Sequence, residues 1–377
     1  MTKDRGTRGG KEDSVPAAAE KFAPGAGICD IREYGNGNIN DTFLVSLGSG
    51  AERHFILQRV NRRIFRRPAL VMRNLRTLGA HVQKRLENLP AGRGGRFEIP
   101  RVLLTRDLRD HWIGPGRSFW RAMSFIEGAR SFDTVRDLDH AEEVGRALGT
   151  FHALVSDLPS DTLADTLEGF HVTPLYLQRY DEVTGTAVRL AASPEVRRCV
   201  DFVSARRDLA GVLEDARSRG VLRLQPIHGD PKSNNILLDT TTRRAVAIVD
   251  LDTVKPGLVH YDIGDCLRSA CNPLGEETGD WEAVGFDPDL CRAVLRGYFS
   301  AARSFLTRKD REYIFDAVRL IAFELGLRFF TDHLEGDVYF KTRREGQNLS
   351  RALVQFRLAE SIESREGVIR EIIGEMA

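Results

Sequence analysis

The stretch Ile227–His228–Gly229–Asp230–Pro231–Lys232–Ser233–Asn234–Asn235–Ile236 decides how the chain is read, and Ala247–Ile248–Val249–Asp250–Leu251–Asp252 answers it. In the first, a histidine stands two places before an aspartate, a lysine two places after it and an asparagine five places after it. In the second, Ala245–Val246–Ala247–Ile248–Val249 predicts a short strand with Asp250 at its end. An isolated Asp-x-x-x-x-Asn would be a surface turn whose side chains bond their own backbone. The conjunction with a histidine, a lysine and a strand-end aspartate asks for more than a turn.

The order and spacing are those of a kinase catalytic loop. Phosphoryl transfer passes through a loose transition state, so the protein mainly positions the partners and neutralises charge, while one carboxylate receives the proton of the attacking hydroxyl. Asp230 is placed for that role. Magnesium takes oxygen ligands and needs only one or two from the protein beside the nucleotide phosphates and water; Asn235 and Asp250 are the candidates. Lys232 offers an ammonium to the γ-phosphate as a point charge, and His228 is expected to brace the loop backbone.

Composition sets the frame around this site. A length of 377 residues predicts two or three domains at about 150 residues each. Hydrophobic residues at 42% and charged residues at 29% describe an ordinary globular protein. A net charge of +1 gives no electrostatic footprint for nucleic acid or anionic membrane, and no apolar run reaches the ~18 residues of a membrane span. Five scattered cysteines, Cys29, Cys199, Cys266, Cys271 and Cys291, form no Cys-x-x-Cys pair and are expected to be free thiols in a cytoplasmic protein. Residues 1–20 are expected to be a disordered tail.

Working back towards the start, Cys29–Tyr34 and Asn40–Ser46 are expected as strands around a turn at Gly35–Asn36–Gly37–Asn38. A glycine-rich hairpin there would lay backbone N–H groups over phosphates, which assigns Gly35, Asn36 and Gly37 to the nucleotide. Phe55–Val60 is the next strand, with Gln58 where a protein kinase carries its phosphate-binding lysine. The helix expected over Pro68–Gln83 has no acid to pair with such a lysine, so phosphate charge falls to Lys232, metal ions and arginines such as Arg59 or Arg62. Phe97–Leu104 and Ser118–Ile126 are expected as strands. The second leads to Ile126–Glu127–Gly128, a hinge whose backbone, at Glu127, would meet an adenine edge.

Beyond the hinge, Asp139–His140–Ala141–Glu142 has a capping-box-like pattern. Ala141, Val144, Leu148, Phe151 and Val155 then repeat at helical spacing, with His152 as a packed residue beside the stripe. Leu175–Leu190, Pro194–Arg217, 287–306 and 310–334 are expected helices. Asp262 and Asp265 are expected to cap a helix or hold the catalytic loop. Arg328, inside the apolar Leu325–Phe330, must find acceptors, with Asp332 or Asp337 as candidate partners.

The loop with Asp250 resembles the aminoglycoside phosphotransferase and choline kinase superfamily, and the chain is most similar within it to the N-acetylhexosamine 1-kinases. The similarity rests on Tyr34–Asn40, Phe55–Gln58, Met72–Asn74, Asp250–Thr253 with Pro256–Gly257, and Arg328–Phe329 followed by Leu334–Phe340. It implies an α+β, bilobal, protein-kinase-like fold with a small antiparallel-sheet N-lobe over 21–127 that binds the nucleotide. A larger, mostly helical C-lobe over 128–377 would carry catalysis. It also implies a reaction that uses ATP and Mg2+ to phosphorylate the anomeric hydroxyl of a small-molecule sugar, with Arg328 and Tyr339 as sugar contacts. Asn38 and Asp337 would add hydrogen bonds. Two positions depart from the pattern: Asn38 replaces a histidine, and Ser269, after Arg268, replaces an aromatic residue. The alternatives are a kinase for another hydroxyl substrate, such as an aminoglycoside, choline or homoserine, and a nucleotide-binding scaffold without transfer activity.

Overall fold

A computed structural model describes residues 14–23, 25, 27–35, 39–50, 53–88, 95–186 and 193–376. The chain forms two compact units, one built on residues up to 80 together with 99–127, the other on 81–98 together with 128–377.

In the first unit, strands β1 (Ile28–Glu33), β2 (Asp41–Leu47) and β3 (His54–Val60) make an antiparallel meander. The short β4 (Val102–Leu103) and β5 (Trp112–Ile113) and the longer β6 (Phe119–Ser124) complete the sheet, with β6 paired to β3 and to both short strands. Alternation along the strands sorts the faces, and one face buries Val45, Phe55, Leu57, Trp120 and Ala122. That face is covered by helix α1 (Ser14–Phe22), whose Val15, Ala18, Ala19 and Phe22 repeat at helical spacing in the same cluster. The expectation of a disordered tail over 1–20 is therefore corrected from Ser14 onward; residues 1–13 lie outside the described residues. An alanine-rich stripe has little core of its own, and the sheet supplies the apolar partner that makes the helix stable.

Helix α2 (Pro68–Glu87) buries Val71, Met72, Leu75, Leu78 and Val82. Its last turns belong to the second unit: His81 Nε2 lies 3.2 Å from Leu154 O and 3.0 Å from Asp157 Oδ1, and Arg85 pairs with Asp157 at 2.7 Å. Residues 81–98, expected within the first domain, are thus part of the second. The strand expected over Phe97–Leu104 is divided as well, because Pro100 has no N–H for a ladder. Glu98 bridges to Ala247, its N–H donating to Val246 O at 2.8 Å.

The second unit is mostly helical: α3 (Leu138–Val155), α4 (Thr173–Thr186), α5 (Pro194–Ser204), α6 (Val212–Ser218), α7 (Val259–Ala270), α8 (Pro288–Ala302), α9 (Arg308–Glu312), α10 (Ile314–Glu335), α11 (Gln347–Glu363) and α12 (Glu366–Glu375). The expected Pro194–Arg217 helix is interrupted by a 3₁₀ turn at Arg207–Gly211. The cap of α3 is Asp137, whose carboxylate accepts the His140 N–H at 2.8 Å, two residues before the aspartate that the sequence favoured. Helices α3 and α8 touch backbone to backbone. A Cβ on Gly145 would lie 1.8 Å from Val294 O, and one on Gly297 would lie 1.9 Å from Glu142 O. This approach sets His152 beside Tyr298. Helix α10, apolar on nearly every side, is a buried helix of the core.

Short strands frame the loop quoted first: β8 (Gln225–Ile227) pairs with β11 (Lys255–Gly257), and β9 (Ile236–Asp239) lies between β10 (Ala245–Ile248) and β7 (Ala129–Arg130). All five cysteines are free, four of them buried. Among the described residues no helix is long and apolar enough to cross a membrane.

Candidate active site

Asp230 follows the end of β8, Asn235 precedes β9 and Asp250 follows β10. Because Ile236 pairs with Ile248, the residues flanking that pair must be neighbours. Val249 N–H donates to Asn235 O at 2.9 Å, and Asn235 Nδ2 donates to Asp230 O at 2.7 Å. Strand pairing and one side-chain bond thereby gather the three polar residues that the sequence singled out. Asp250 has φ 64° and ψ 57°, the left-handed conformation, which costs a residue with a Cβ about 1–2 kcal/mol and is held only where the surroundings insist on it.

The loop before Asp230 is pinned at every main-chain polar group of His228 and Gly229. Asp262 accepts His228 N–H at 2.7 Å and Gly229 N–H at 2.8 Å. Thr253 Oγ1 donates to His228 O at 2.8 Å, and His171 Nε2 lies 2.7 Å from Gly229 O. Gly229 sits at φ 87°, and a Cβ there would fall 2.7 Å from Thr253 O. Asp262 is in turn held by His152 Nε2 at 2.8 Å, and His152 Nδ1 meets the Tyr298 hydroxyl at 2.9 Å. Burial alone would raise the pKa of Asp262; the hydrogen bonds from His152 and from the His228 N–H outweigh it and hold the carboxyl below its usual range. The expectation that Asp262 holds the catalytic loop is met, and His152 proves to be its support.

His228 braces the loop as expected. Its Nε2 donates to Val249 O at 2.9 Å and its Nδ1 accepts the Asp230 N–H at 3.2 Å, a pattern only the neutral ring can make. Burial pushes its pKa down accordingly. Lys232 Nζ lies 3.2 Å from Asp230 Oδ2, and that carboxylate raises the lysine's pKa.

The donor set suits magnesium accompanied by a nucleotide. With its Nδ2 committed to Asp230 O, Asn235 would offer Oδ1 to a metal ion, and Asp250 would add a carboxylate. Both are hard oxygen donors, and magnesium takes the rest of its shell from phosphates and water. No group of three His, Cys, Asp or Glu among the described residues could hold a metal by protein side chains alone.

In the first unit, Gly35 is exposed at φ 76°, while Asn36, Gly37 and Asn38 lie outside the described residues. Gln58 stands opposite Arg121 on β6. Its Oε1 accepts from Arg121 Nε at 2.9 Å and Nη2 at 2.7 Å, and its Nε2 donates to Thr42 Oγ1 at 3.2 Å. The buried cation at the lysine's usual place is thus Arg121, brought in across the strand. Arg59 and Arg62, considered for phosphate from sequence, are engaged elsewhere: Arg59 with Asp41 at 2.9 Å, Arg62 with Arg117 O at 2.8 Å. Glu127 pairs its side chain with His54 at 2.7 Å.

Arg328 pairs with neither Asp332 nor Asp337. Its Nη1 lies 3.7 Å from Glu324 Oε1, one helical turn back. Its guanidinium lies 5.0 Å from the Phe170 ring, 5.0 Å from Tyr176 and 5.5 Å from Phe340. Burial opposes its charge, yet Tyr176, Tyr339, Glu324 and Asp230 together raise its pKa. Asp332 accepts the N–H groups of Val338 at 2.9 Å, Tyr339 at 2.8 Å and Phe340 at 3.0 Å. Asp337, at φ 60°, accepts from Asn348 Nδ2 at 2.8 Å. Tyr339 remains exposed, with its ring 4.7 Å from Phe340. Ser269 binds the loop itself, its Oγ accepting Ser233 N–H at 3.1 Å.

Sequence reasoning missed Arg121, His171 and Glu324, and it offered Asp332 to Arg328 rather than to the N–H groups of 338–340. An acid four places before Arg328 in an apolar helix was a usable signal for Glu324. Arg121 and His171 depend on pairings that no spacing reveals.

The sequence model of the phosphotransferase enzyme family matches residues 30–305. Among solved structures, a microcompartment-associated aminopropanol kinase shares 18% identity at TM-score 0.66, over 95% of this chain and 99% of its own. An aminoglycoside phosphotransferase from Alicyclobacillus acidocaldarius shares 15% at TM-score 0.63, over 96% of each chain. A choline kinase from Cryptosporidium parvum shares 13% at TM-score 0.58, over 96% and 97%. At these identities the likeness speaks for the fold, an antiparallel-sheet N-terminal region followed by a helical C-terminal one.

Proposed function

We propose that this chain, which belongs to the phosphotransferase enzyme family, transfers the γ-phosphoryl group of ATP to the anomeric hydroxyl of an N-acetylhexosamine, giving the sugar 1-phosphate. The observation that carries the reading is the gathering of Asp230, Asn235 and Asp250 through the Asn235–Asp230 and Val249–Asn235 bonds, at 2.7 and 2.9 Å.

Asp230 accepts the hydroxyl proton as the sugar oxygen attacks phosphorus in line, and the bond to the β-phosphate oxygen breaks. Lys232, 3.2 Å from Asp230, offsets phosphate charge during transfer. Asn235 Oδ1 and Asp250 would hold magnesium, which supplies charge neutralisation at the phosphates when bound. Arg121, fixed by Gln58, takes the part of the missing strand lysine. Gly35, together with the backbone at Glu127, would seat the nucleotide.

For the acceptor, Arg328 and Asp337 offer hydrogen bonds and Tyr339 offers an apolar face for the C–H surface of a sugar ring. A cationic acceptor, such as the names of the aminopropanol and choline kinases suggest for those proteins, calls for unpaired acids. Here the acids near the loop carry arginine partners: Asp265 and Glu276 pair with Arg268 at 2.7 and 3.2 Å, and Glu277 pairs with Arg351. A neutral acceptor suits that balance better. The test is transfer of phosphate from ATP onto a panel of hexosamines, hexoses, amino alcohols and aminoglycosides, with the product's phosphate position read by NMR. An N-acetylhexosamine 1-phosphate is expected; transfer to amino alcohols alone would end the sugar reading while leaving the transfer reaction intact.

A further inference from the structure

His171 has no part in the chemistry above, yet it reaches the loop that carries Asp230. It is buried and sits at φ 66°, a conformation that residues with a Cβ seldom adopt. Its ring packs on Phe170 at 4.0 Å and stacks on Tyr261 at 5.3 Å. Its Nε2 lies 2.7 Å from Gly229 O and its Nδ1 lies 2.9 Å from Glu324 Oε1. A carbonyl and a carboxylate oxygen only accept hydrogen bonds, so both ring nitrogens must donate, and a ring with two N–H groups is an imidazolium.

From this we infer that His171 is a positioning residue for the transfer reaction, a buried imidazolium that clamps Gly229 and so aims Asp230, with Glu324 as the counter-ion it shares with Arg328. Glu324 is fully committed to this work: Oε1 meets His171, Oε2 accepts Thr173 Oγ1 at 2.7 Å, and Arg328 Nη1 lies 3.7 Å away. One carboxylate therefore stands between the base loop and the side chain proposed to meet the acceptor. The groups around the ring are Glu324 and Arg328 from α10, Tyr261 and Asp265 from α7, and Tyr176 from α4. Burial favours the neutral ring, but the Glu324 carboxylate outweighs it and raises the pKa of His171. Burial likewise favours protonated Glu324, and the imidazolium overrides it and lowers that pKa. The clamp is complete at and below the ordinary histidine value of ~6.5. It is lost as pH rises through the raised His171 value, and Glu324 lets go only as pH falls through its own lowered one.

The inference rests on Asp230 being the base, but its first test does not. In the full chain with labelled histidine, an NMR pH titration is expected to show a His171 imidazolium, assigned by the loss of its signals in His171→Gln, that persists above the ~6.5 of an ordinary histidine. A neutral ring at His171 overturns the inference whatever the protein catalyses. The second test is kinetic and follows demonstration that wild type transfers phosphate and Asp230→Asn does not; a wild type that serves no acceptor overturns the proposed function itself. His171→Gln is expected to lower kcat on the order of 10–100-fold with nucleotide KM within about two-fold, and to abolish the basic limb of the kcat profile. Glu324→Gln, which keeps the ring in place, is expected to move that limb to lower pH, and it carries the test if His171→Gln does not fold. Profiles that keep the wild-type shape in both variants would reduce His171 to a structural residue.

Discussion

The catalytic loop at His228–Asp230 and the segment Val338–Phe340 are held by the same device and left in opposite states. In each, one buried aspartate accepts consecutive main-chain N–H groups: Asp262 takes those of His228 and Gly229, and Asp332 those of Val338, Tyr339 and Phe340. Around Asp262 everything is inside the protein, from the His152 bond to the Tyr298 hydroxyl behind it. Around Asp332 the backbone is fixed while the side chains face outward, with Val338 at 72% exposure and Tyr339 at 38%. The loop that carries Asp230 is pinned on all sides; the loop that carries Tyr339 is pinned only from beneath. The first arrangement admits little change, whereas the second lets outward side chains vary without disturbing what holds them.

Substitutions can break this contrast in a graded way. Asp230→Asn removes the proposed base without altering shape, and turnover should fall by roughly 10²–10⁴-fold with nucleotide affinity nearly unchanged, as steady-state kinetics would show. Asp262→Asn strikes the inner anchor, leaving two loop N–H groups and His152 facing an amide. Its cost should be about 3 kcal/mol in urea unfolding. Because the folded pKa of Asp262 is depressed, its contribution is present above the ordinary carboxylate value of ~3.9 and lost as pH falls through the lower folded value. The difference between variant and wild type should therefore shrink in strong acid and persist at neutral pH.

Asp332→Asn strikes the outer anchor. It should raise acceptor KM about ten-fold, equivalent to ~1.4 kcal/mol, and leave kcat within a few-fold; an equal loss in kcat would show that the two loops are not separate. Tyr339→Ala should change stability by less than about 0.5 kcal/mol and weaken the acceptor only a few-fold. Its clearest readout is a shift in preference across the acceptor panel, and an unaltered ranking would remove Tyr339 from the substrate surface.

The same contrast explains which parts were legible. His228, Asp230, Asn235 and Asp250 lie within one loop–strand–strand segment, so their mutual geometry follows from antiparallel pairing and could be read from spacing. Arg121 could not, because it faces Gln58 across a register that links residues 63 apart. Phe97–Leu104 reads as one strand by composition, yet Pro100 parts Glu98 from Val102–Leu103 and their partners differ. Ser14–Phe22 reads as a tail because alanine carries so little apolar signal, and it is the sheet face that stabilises the helix.

What the sequence determined by itself is membership of the phosphotransferase family and the grouping of His228, Asp230, Asn235 and Asp250, since those residues are neighbours along the chain and the backbone fixes their spacing. Tertiary structure alone decided the charge on His171 and the cation beside Gln58. Each depends on a partner brought from far along the chain, and hydrogen-bond roles and ionisation are set by what a side chain finally faces rather than by what precedes it.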